Sequence, residues 1–392
     1  MKLKFPEGFL WGSSTSAAQV ETASAHNWRG VVARDGHVFD HTTAHEDLRE
    51  LDAQYILQFG TVYRCSVDWA RLQEQAFAPF AVEVVEEYQQ FFRLLNEGGA
   101  RILFVMHHFT NPLWFEQNGG WQNEDNLSAF VDYARQCIEH FGAYVFNWNT
   151  FNEPNVYAMN AFFLGQFPPF KKSYRKANRA IRHMAQVHKV IYDLLKSICP
   201  EKPVSISLNT AYFKGLNWLG KIPARFTDWW FIDRAAGLFK DVDYWGLSYY
   251  AYVPFTPFPI TEIENPGQLK QLGIPHDKMW GYHPQGLGLI LRRFHKRFGK
   301  PIIMVESGIC TDDSEVRIQA IKDYLKVCHG AIQDGVDLRG FIQWSTWDNF
   351  EWNLGPTYRF GLVRVNLETM EREMTEAGEF FARVAREGAV EV

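Results

Sequence analysis

The sequence predicts an α/β fold: a single (β/α)8 barrel spanning residues 1–392 as one domain. Three observations predict it. Eight short apolar runs, β-branched or aromatic, recur roughly forty residues apart, and each ends in a polar or functional side chain. Helix-period stretches lie between most of them. No GxGxxG follows the first run, which argues against an open, doubly wound sheet. Strands that alternate with helices give parallel βα units, and eight such units close into a barrel.

The runs come in the order GFLWGSST, TVYRCSVDW, RILFVMHHF, YVFNWNTFNE, PVSISLN, YWGLSYY, PIIMVES and LRGFIQWSTW. Among the intervening helices, residues 128–141 place Phe130, Val131, Ala134, Ile138 and Phe141 on one face. Residues 177–198 repeat the pattern at Ile181, Met184, Val187, Ile191 and Leu195, and residues 316–328 do so again. Pro154, directly after Glu153, suits the first position of a short helix. No linker, low-complexity tract or shift in composition divides the chain.

Composition narrows the function classes. A 46% hydrophobic content supplies a large core, and a formal charge of -5 is spread along the chain. No Lys/Arg block points to nucleic acid, and no apolar run is long enough to span a membrane. Five scattered cysteines (Cys65, Cys137, Cys199, Cys310 and Cys328) without a CxxC fit a reduced, cytoplasmic setting. The opening MKLKFPEGFLWG has no secretory pattern. Aromatic residues make up 16% of the chain, with 14 Trp. Indoles in such numbers suit a cleft that stacks sugar rings, because a buried indole N–H wants a partner and a pyranose face is apolar.

A barrel of this kind carries its chemistry at the C-terminal ends of its strands. Those ends hold Arg64, His108, Asn152 with Glu153, Asn209, Tyr250, Glu306 and Trp344. Glu153 ends the fourth strand and Glu306 the seventh, so the two carboxyls face each other across the mouth. Paired carboxylates that flank a pocket are the requirement for glycoside hydrolysis. Arg64 and the Tyr250 hydroxyl are placed to stabilise a Glu306 anion, whereas Glu153 has amides and aromatics around it. That contrast assigns Glu306 as nucleophile and Glu153 as acid/base. His107 and His108 point to opposite faces of a strand and cannot share a metal; His108 is the one expected to face the site. WSTWDNFEWNLGPTYRFGL (344–362) interleaves rings with Asp348 and Glu351, a composition suited to a polyol.

These stretches together resemble glycoside hydrolase family 1, the retaining β-glycosidases, nearly end to end. FPEGFLWGSSTSAAQVE resembles the family's opening segment, YRCSVDWAR its Arg motif, HHFTNPLWF its His motif and WNTFNEPN its acid/base motif. WGLSYY resembles its Tyr motif, VESG its nucleophile motif and WSTWDNFEWNLGPTYRFGL its sugar-recognition segment. The resemblance implies double displacement without metal or organic cofactor. It implies that Asn152 holds the sugar 2-hydroxyl and that Gln19, His108, Glu351 and Trp352 read the ring hydroxyls, with Glu351 bridging O4 and O6. Trp344 becomes the platform under the ring, Phe360 an aromatic wall, and Arg64 and Tyr250 the partners of the nucleophile. Ser307, Ser248 and Phe109 depart from the family pattern. The chain is also abbreviated around residues 21–41 and between Tyr252 and Glu306, which predicts a more open entrance.

The resulting expectation is a retaining exo-β-glycosidase acting on β-D-glucosides, with β-D-galactosides and fucosides as further substrates. Its partners would be small-molecule or oligosaccharide β-glycosides, with no nucleic acid and no membrane. A catalytically weakened sugar-binding protein of the same fold and a transglycosylase are the alternatives. An aldolase would need a lysine at a strand end, and none of the eight ends has one.

Overall fold

The eight runs are the eight strands of a closed parallel barrel: β1 (Leu10–Ser14), β2 (Val62–Ser66), β3 (Arg101–His107), β4 (Val145–Asn152), β5 (Val204–Gly215), β6 (Trp245–Phe255), β7 (Ile302–Ser307) and β8 (Leu338–Trp344). This computed structural model describes residues 1–261 and 267–392. Each strand pairs with the next in sequence, and β1 closes on β8 through Leu10 opposite Gly340 and Ser14 opposite Trp344. Short parallel strands need covered faces on both sides, and this is why they read as near-continuous apolar runs. Residues Leu10, Val62, Leu103, Val105, Ile303, Val305 and Ile342, drawn from strands around the ring and from no helix, form the filling of the barrel. The alternate residues, among them Tyr63, Phe104, Trp148 and Met304, belong to a much larger outer layer shared with the helices.

The outer ring is built by α1 (Arg49–Ile56), α2 (Val82–Glu97), α3 (Asp125–Phe141), α4 (Tyr174–Ile198), α5 (Trp218–Asp228), α6 (Pro284–Phe298), α7 (Ser314–Gln333) and α8 (Glu376–Glu387). Their ends are specified locally. The Asp313 carboxylate accepts from the Glu315 and Val316 N–H groups at 2.8 and 3.2 Å to open α7, and Thr375 accepts from Gly378 N–H at 3.0 Å to open α8. α6 begins with Pro284 and ends at Gly299 in the left-handed region. The antiparallel pair Lys2–Lys4 with Ala389–Glu391 joins the two ends of the chain. Among the described residues no helix is long and apolar enough to cross a membrane.

Toward their C-terminal ends the strands lose regular register. Pairing shifts occur between Asn149 and Asn152, Thr210 and Ala211, Leu247 and Ser248, and Met304 and Ser307. Such irregularities turn side chains away from strict alternation. Val305 belongs to the barrel filling, yet the next residue, Glu306, also lines the cavity at the barrel mouth. Regular alternation would have sent Glu306 outward.

Candidate active site

A cavity of about 630 Å³ opens at the C-terminal end of the barrel. Its inner part is lined by His108, Asn152, Glu153, Tyr250, Glu306, Trp344, Glu351, Trp352 and Phe360. Arg64 and Gln19 stand one layer behind and act on it through Glu306 and Glu351. Every residue that the sequence reading assigned to the site therefore belongs to one constellation, while His107 does not.

Arg64, fully buried at the end of β2, organises the floor. Its guanidinium donates to Glu306 Oε1 at 2.5 Å, to Asn152 Oδ1 at 2.6 Å and to the Ser207 hydroxyl at 2.6 Å. The Tyr250 hydroxyl donates to the other oxygen, Glu306 Oε2, at 2.9 Å. Both Glu306 oxygens thus accept from fixed donors. Because Asn152 Oδ1 faces Arg64, its amide nitrogen faces His108 and donates to Nε2 at 2.9 Å. This leaves the His108 proton on Nδ1, which is buried and has no protein partner. Burial, with Arg64 and His107 adding to it, holds His108 well below the ordinary histidine range, so the ring is neutral. His107 points the other way, hydrogen-bonded to Asn111 at 3.0 Å among Trp121, Phe151 and Tyr157.

Glu153 has a different environment. It is nearly buried, and its oxygen accepts from the Asn209 amide at 2.8 Å. Desolvation first, then the Glu306 charge, pushes its carboxyl up to about 8, against smaller lowering by Asn209, Ser248 and Arg64. The amides adjacent in sequence are not its partners. Asn155 instead donates to the Asn209 and Phe231 carbonyls at 3.0 and 3.1 Å. Glu153 itself adopts φ 41° and ψ 58°, a left-handed conformation rare outside glycine, and Pro154 starts the short helix Pro154–Ala158 directly after it. Its side chain makes no helix cap, so a capping role does not account for the residue.

Opposite this pair, the segment after β8 supplies the rest. Gln19 Nε2 reaches Asn349 Oδ1 and the Phe350 carbonyl at 3.1 Å and Glu351 Oε2 at 3.4 Å, while its own Oε1 is buried without a partner. Glu351 is pushed up to about 8, mainly by burial and next by the Glu306 charge, with Gln19 and the Trp344 indole opposing. Trp344 and Trp352 lie 5.9 and 6.1 Å from the His108 ring, and Phe360 meets Tyr250 edge-on at 5.9 Å. Trp352 leans on Trp28 at 5.0 Å and Phe109 at 5.2 Å, and Phe109 also lines the cavity. Ser307 Oγ donates to the Tyr249 carbonyl at 3.1 Å. Gly308 is required for closeness: a Cβ there would lie 2.2 Å from the Trp344 carbonyl oxygen. Three contributors carried no assigned role in the sequence reading, namely Asn209, Ser207 and Asn349. Asn209 was visible as a strand-end amide, but its partner was not.

Among the described residues no group of three His, Cys, Asp or Glu side chains could hold a metal. The outer part of the cavity is apolar, lined by Met159, Phe163, Leu164, Phe213, Phe226 and Trp230. Phe163, Tyr174 and Phe226 at its rim are themselves solvent-exposed. Part of the abbreviated stretch noted above, residues 262–266, lies outside the described residues.

A parallel barrel whose mouth holds an Arg-paired carboxylate, a buried carboxyl of raised pKa and a ring-and-carboxylate cleft is a carbohydrate-hydrolysing enzyme in architecture. The chain belongs to glycosyl hydrolase family 1, whose model matches residues 1–217 and 233–389, and it is a glycosidase. It is 26% identical to β-glucosidase A of Acetivibrio thermocellus over 442 aligned positions, covering 98% of this chain and 99% of the relative. It is 28% identical to the β-galactosidase of Sulfolobus acidocaldarius over 73% of this chain and 66% of that protein. The solved β-glycosidase from Pyrococcus horikoshii superposes with a TM-score of 0.89 at 29% identity, covering 100% of this chain and 97% of that one.

Proposed function

We propose that the chain works as one catalytic unit, a retaining exo-β-glycosidase that removes non-reducing terminal β-D-glucosyl residues. The observation that carries this is the unequal environment of the two carboxyls: Glu306 held between Arg64 and Tyr250, Glu153 buried and pushed up to about 8. In the first step a Glu306 oxygen attacks the anomeric carbon as the glycosidic C–O bond breaks, and Glu153 gives its proton to the departing oxygen. A glycosyl ester of Glu306 results, and Glu153 is left as a carboxylate. In the second step Glu153 takes a proton from water, whose oxygen attacks the same carbon and releases Glu306. Net retention follows from two displacements at one centre.

The sugar would stack on Trp344, with Glu351 and Gln19 on one edge and the free His108 Nδ1–H and Asn152 on another. Glucosidase and galactosidase relatives leave the O4 configuration open, so galactosides and fucosides are included as further substrates. An acceptor hydroxyl in place of water at the second step would give transglycosylation from the same site. The test is a panel of aryl β-glycosides (gluco, galacto, fuco, manno and 6-phospho), with the first-formed anomer followed by NMR and Glu306→Ala as control. Turnover of the glucoside with a β first product, lost by orders of magnitude in Glu306→Ala, is expected. An α first product, or a Glu306→Ala variant of unchanged rate, overturns the reading.

A further inference from the structure

The outer wall of the cavity continues into an apolar exposed surface. α5 lies flat on the ends of β5 and β6 because its inner residues are small. Gly220 and Ala224 are buried, and a Cβ on Gly220 would meet the Phe255 carbonyl oxygen at 2.1 Å. Large side chains are therefore thrown outward. Trp218 is 75% exposed, Ile222 77%, Phe226 58% and Trp229 50%, at spacings that place them along one helical face. Phe258, 77% exposed, joins them next to the Asn217 amide that donates to the Thr256 carbonyl. Soluble monomers seldom expose large contiguous apolar patches without a use for them.

Two further features say what the face meets. The exposed cations Lys214, Lys221 and Arg225 are interleaved with these rings, and the one acid in the helix, Asp228, is tied to Arg293 at 2.6 Å. Trp and Ile flanked by cations are the composition of a helix that lies in a membrane interface, with the rings at headgroup level and the cations on anionic lipid. The face is also continuous with the site, since Phe226 and Trp230 line the cavity that ends at Glu153 and Glu306. The family match stops at residue 217 and resumes at 233, so Trp218, Ile222, Phe226 and Trp229 lie outside the shared pattern, whereas Lys214 and Phe258 lie within it.

We propose that α5 docks on an anionic lipid surface and that the enzyme takes amphiphilic β-glycosides from it, the sugar entering the carboxylate pocket and the alkyl or acyl chain lying along the apolar outer cavity. This inference rests on the glycosidase reading and adds a substrate class to it. It also departs from the expectation of no membrane partner, because the lack of a spanning run says nothing about a helix that lies on the surface.

The test uses the intact enzyme and a triple variant, Trp218→Ser, Ile222→Ser and Trp229→Ser, none of which lines the cavity. Melting temperature and turnover of para-nitrophenyl β-D-glucoside without vesicles are expected to match the wild type. Co-sedimentation with phosphatidylcholine–phosphatidylglycerol vesicles is expected for the wild type, weaker in high salt and on phosphatidylcholine alone. In the variant the bound fraction should fall about tenfold or more, given the apolar area removed. For methyl, hexyl and octyl β-D-glucosides kcat/KM should climb by up to about fourfold per methylene, the equivalent of about 0.8 kcal/mol. Wild-type enzyme that ignores anionic vesicles, a variant that binds them as well as the wild type, or kcat/KM indifferent to chain length overturns the proposal. So does a wild-type dimer that the triple substitution splits in light scattering without any vesicle binding, since the face would then join two copies. Failure to hydrolyse any aryl β-glucoside would instead sink the glycosidase reading, and vesicle binding is scored independently of it.

Discussion

Glu153→Gln should remove most activity and yet make the protein more stable, increasingly so as pH rises from 4.5 to about 8. The carboxyl ionises at an ordinary 4.5 in the unfolded chain and at about 8 in the folded site. Between those values the native state holds a proton that the unfolded state has lost, so folding stability falls as pH rises through that window. The ceiling of the loss is about 3.5 pKa units at 1.36 kcal/mol each, roughly 5 kcal/mol above pH 8. Glutamine has the same shape, keeps an oxygen for the Asn209 amide and cannot ionise, so it abolishes the penalty. At about 2.1 cal/mol/K per residue, unfolding 392 residues carries about 0.8 kcal/mol/K, so the ceiling corresponds to about 6 °C in Tm. Calorimetry or fluorescence melting of both proteins at pH 4 and pH 9 is the assay. We expect nearly equal Tm at pH 4, where Glu153 is protonated both folded and unfolded, and a variant several degrees higher at pH 9. Equal Tm at both pH values, or a variant less stable at pH 9, would refute the claim that burial beside Glu306 holds the proton on Glu153.

Further expectations follow from the same geometry. Asn209→Ala removes a donor that favours the Glu153 anion, so the alkaline limb of the kcat/KM profile should move to higher pH; a downward shift would contradict the assignment. Arg64→Met removes the guanidinium donor from Glu306 Oε1, Asn152 Oδ1 and the Ser207 hydroxyl. It should lower stability by about 3–5 kcal/mol and kcat/KM by orders of magnitude, and wild-type melting with wild-type kinetics would rule out Arg64 as the organiser of the floor. Gly308→Ala sets a methyl 2.2 Å from the Trp344 carbonyl oxygen, so a loss of about 1–3 kcal/mol is expected in chemical denaturation, with a raised KM for the glucoside.

The strands were legible because each is buried on both faces and so reads as one apolar run, and all eight runs became barrel strands. The three helical stretches read at 128–141, 177–198 and 316–328 lie inside α3, α4 and α7, each of which runs a few residues longer. α5 escaped notice for the opposite reason. Its apolar residues face outward and a proline sits within it, so a search for inward-facing periodicity passes over it.

By itself the sequence determined the barrel, the identity of the strand-end residues and the pairing of two carboxylates across the mouth. These follow from local composition and from the rule that strand ends meet at one rim. Only the tertiary structure decided which way those residues point. The register shifts at the rim turn Glu306 inward beside Val305, because a side chain's face depends on pairing with a neighbouring strand and not on its own spacing. Likewise the proton on Glu153 depends on burial and on the charge of a residue 153 positions away, and its one amide partner, Asn209, comes from the next strand. Such long-range terms are written in the chain only through the fold.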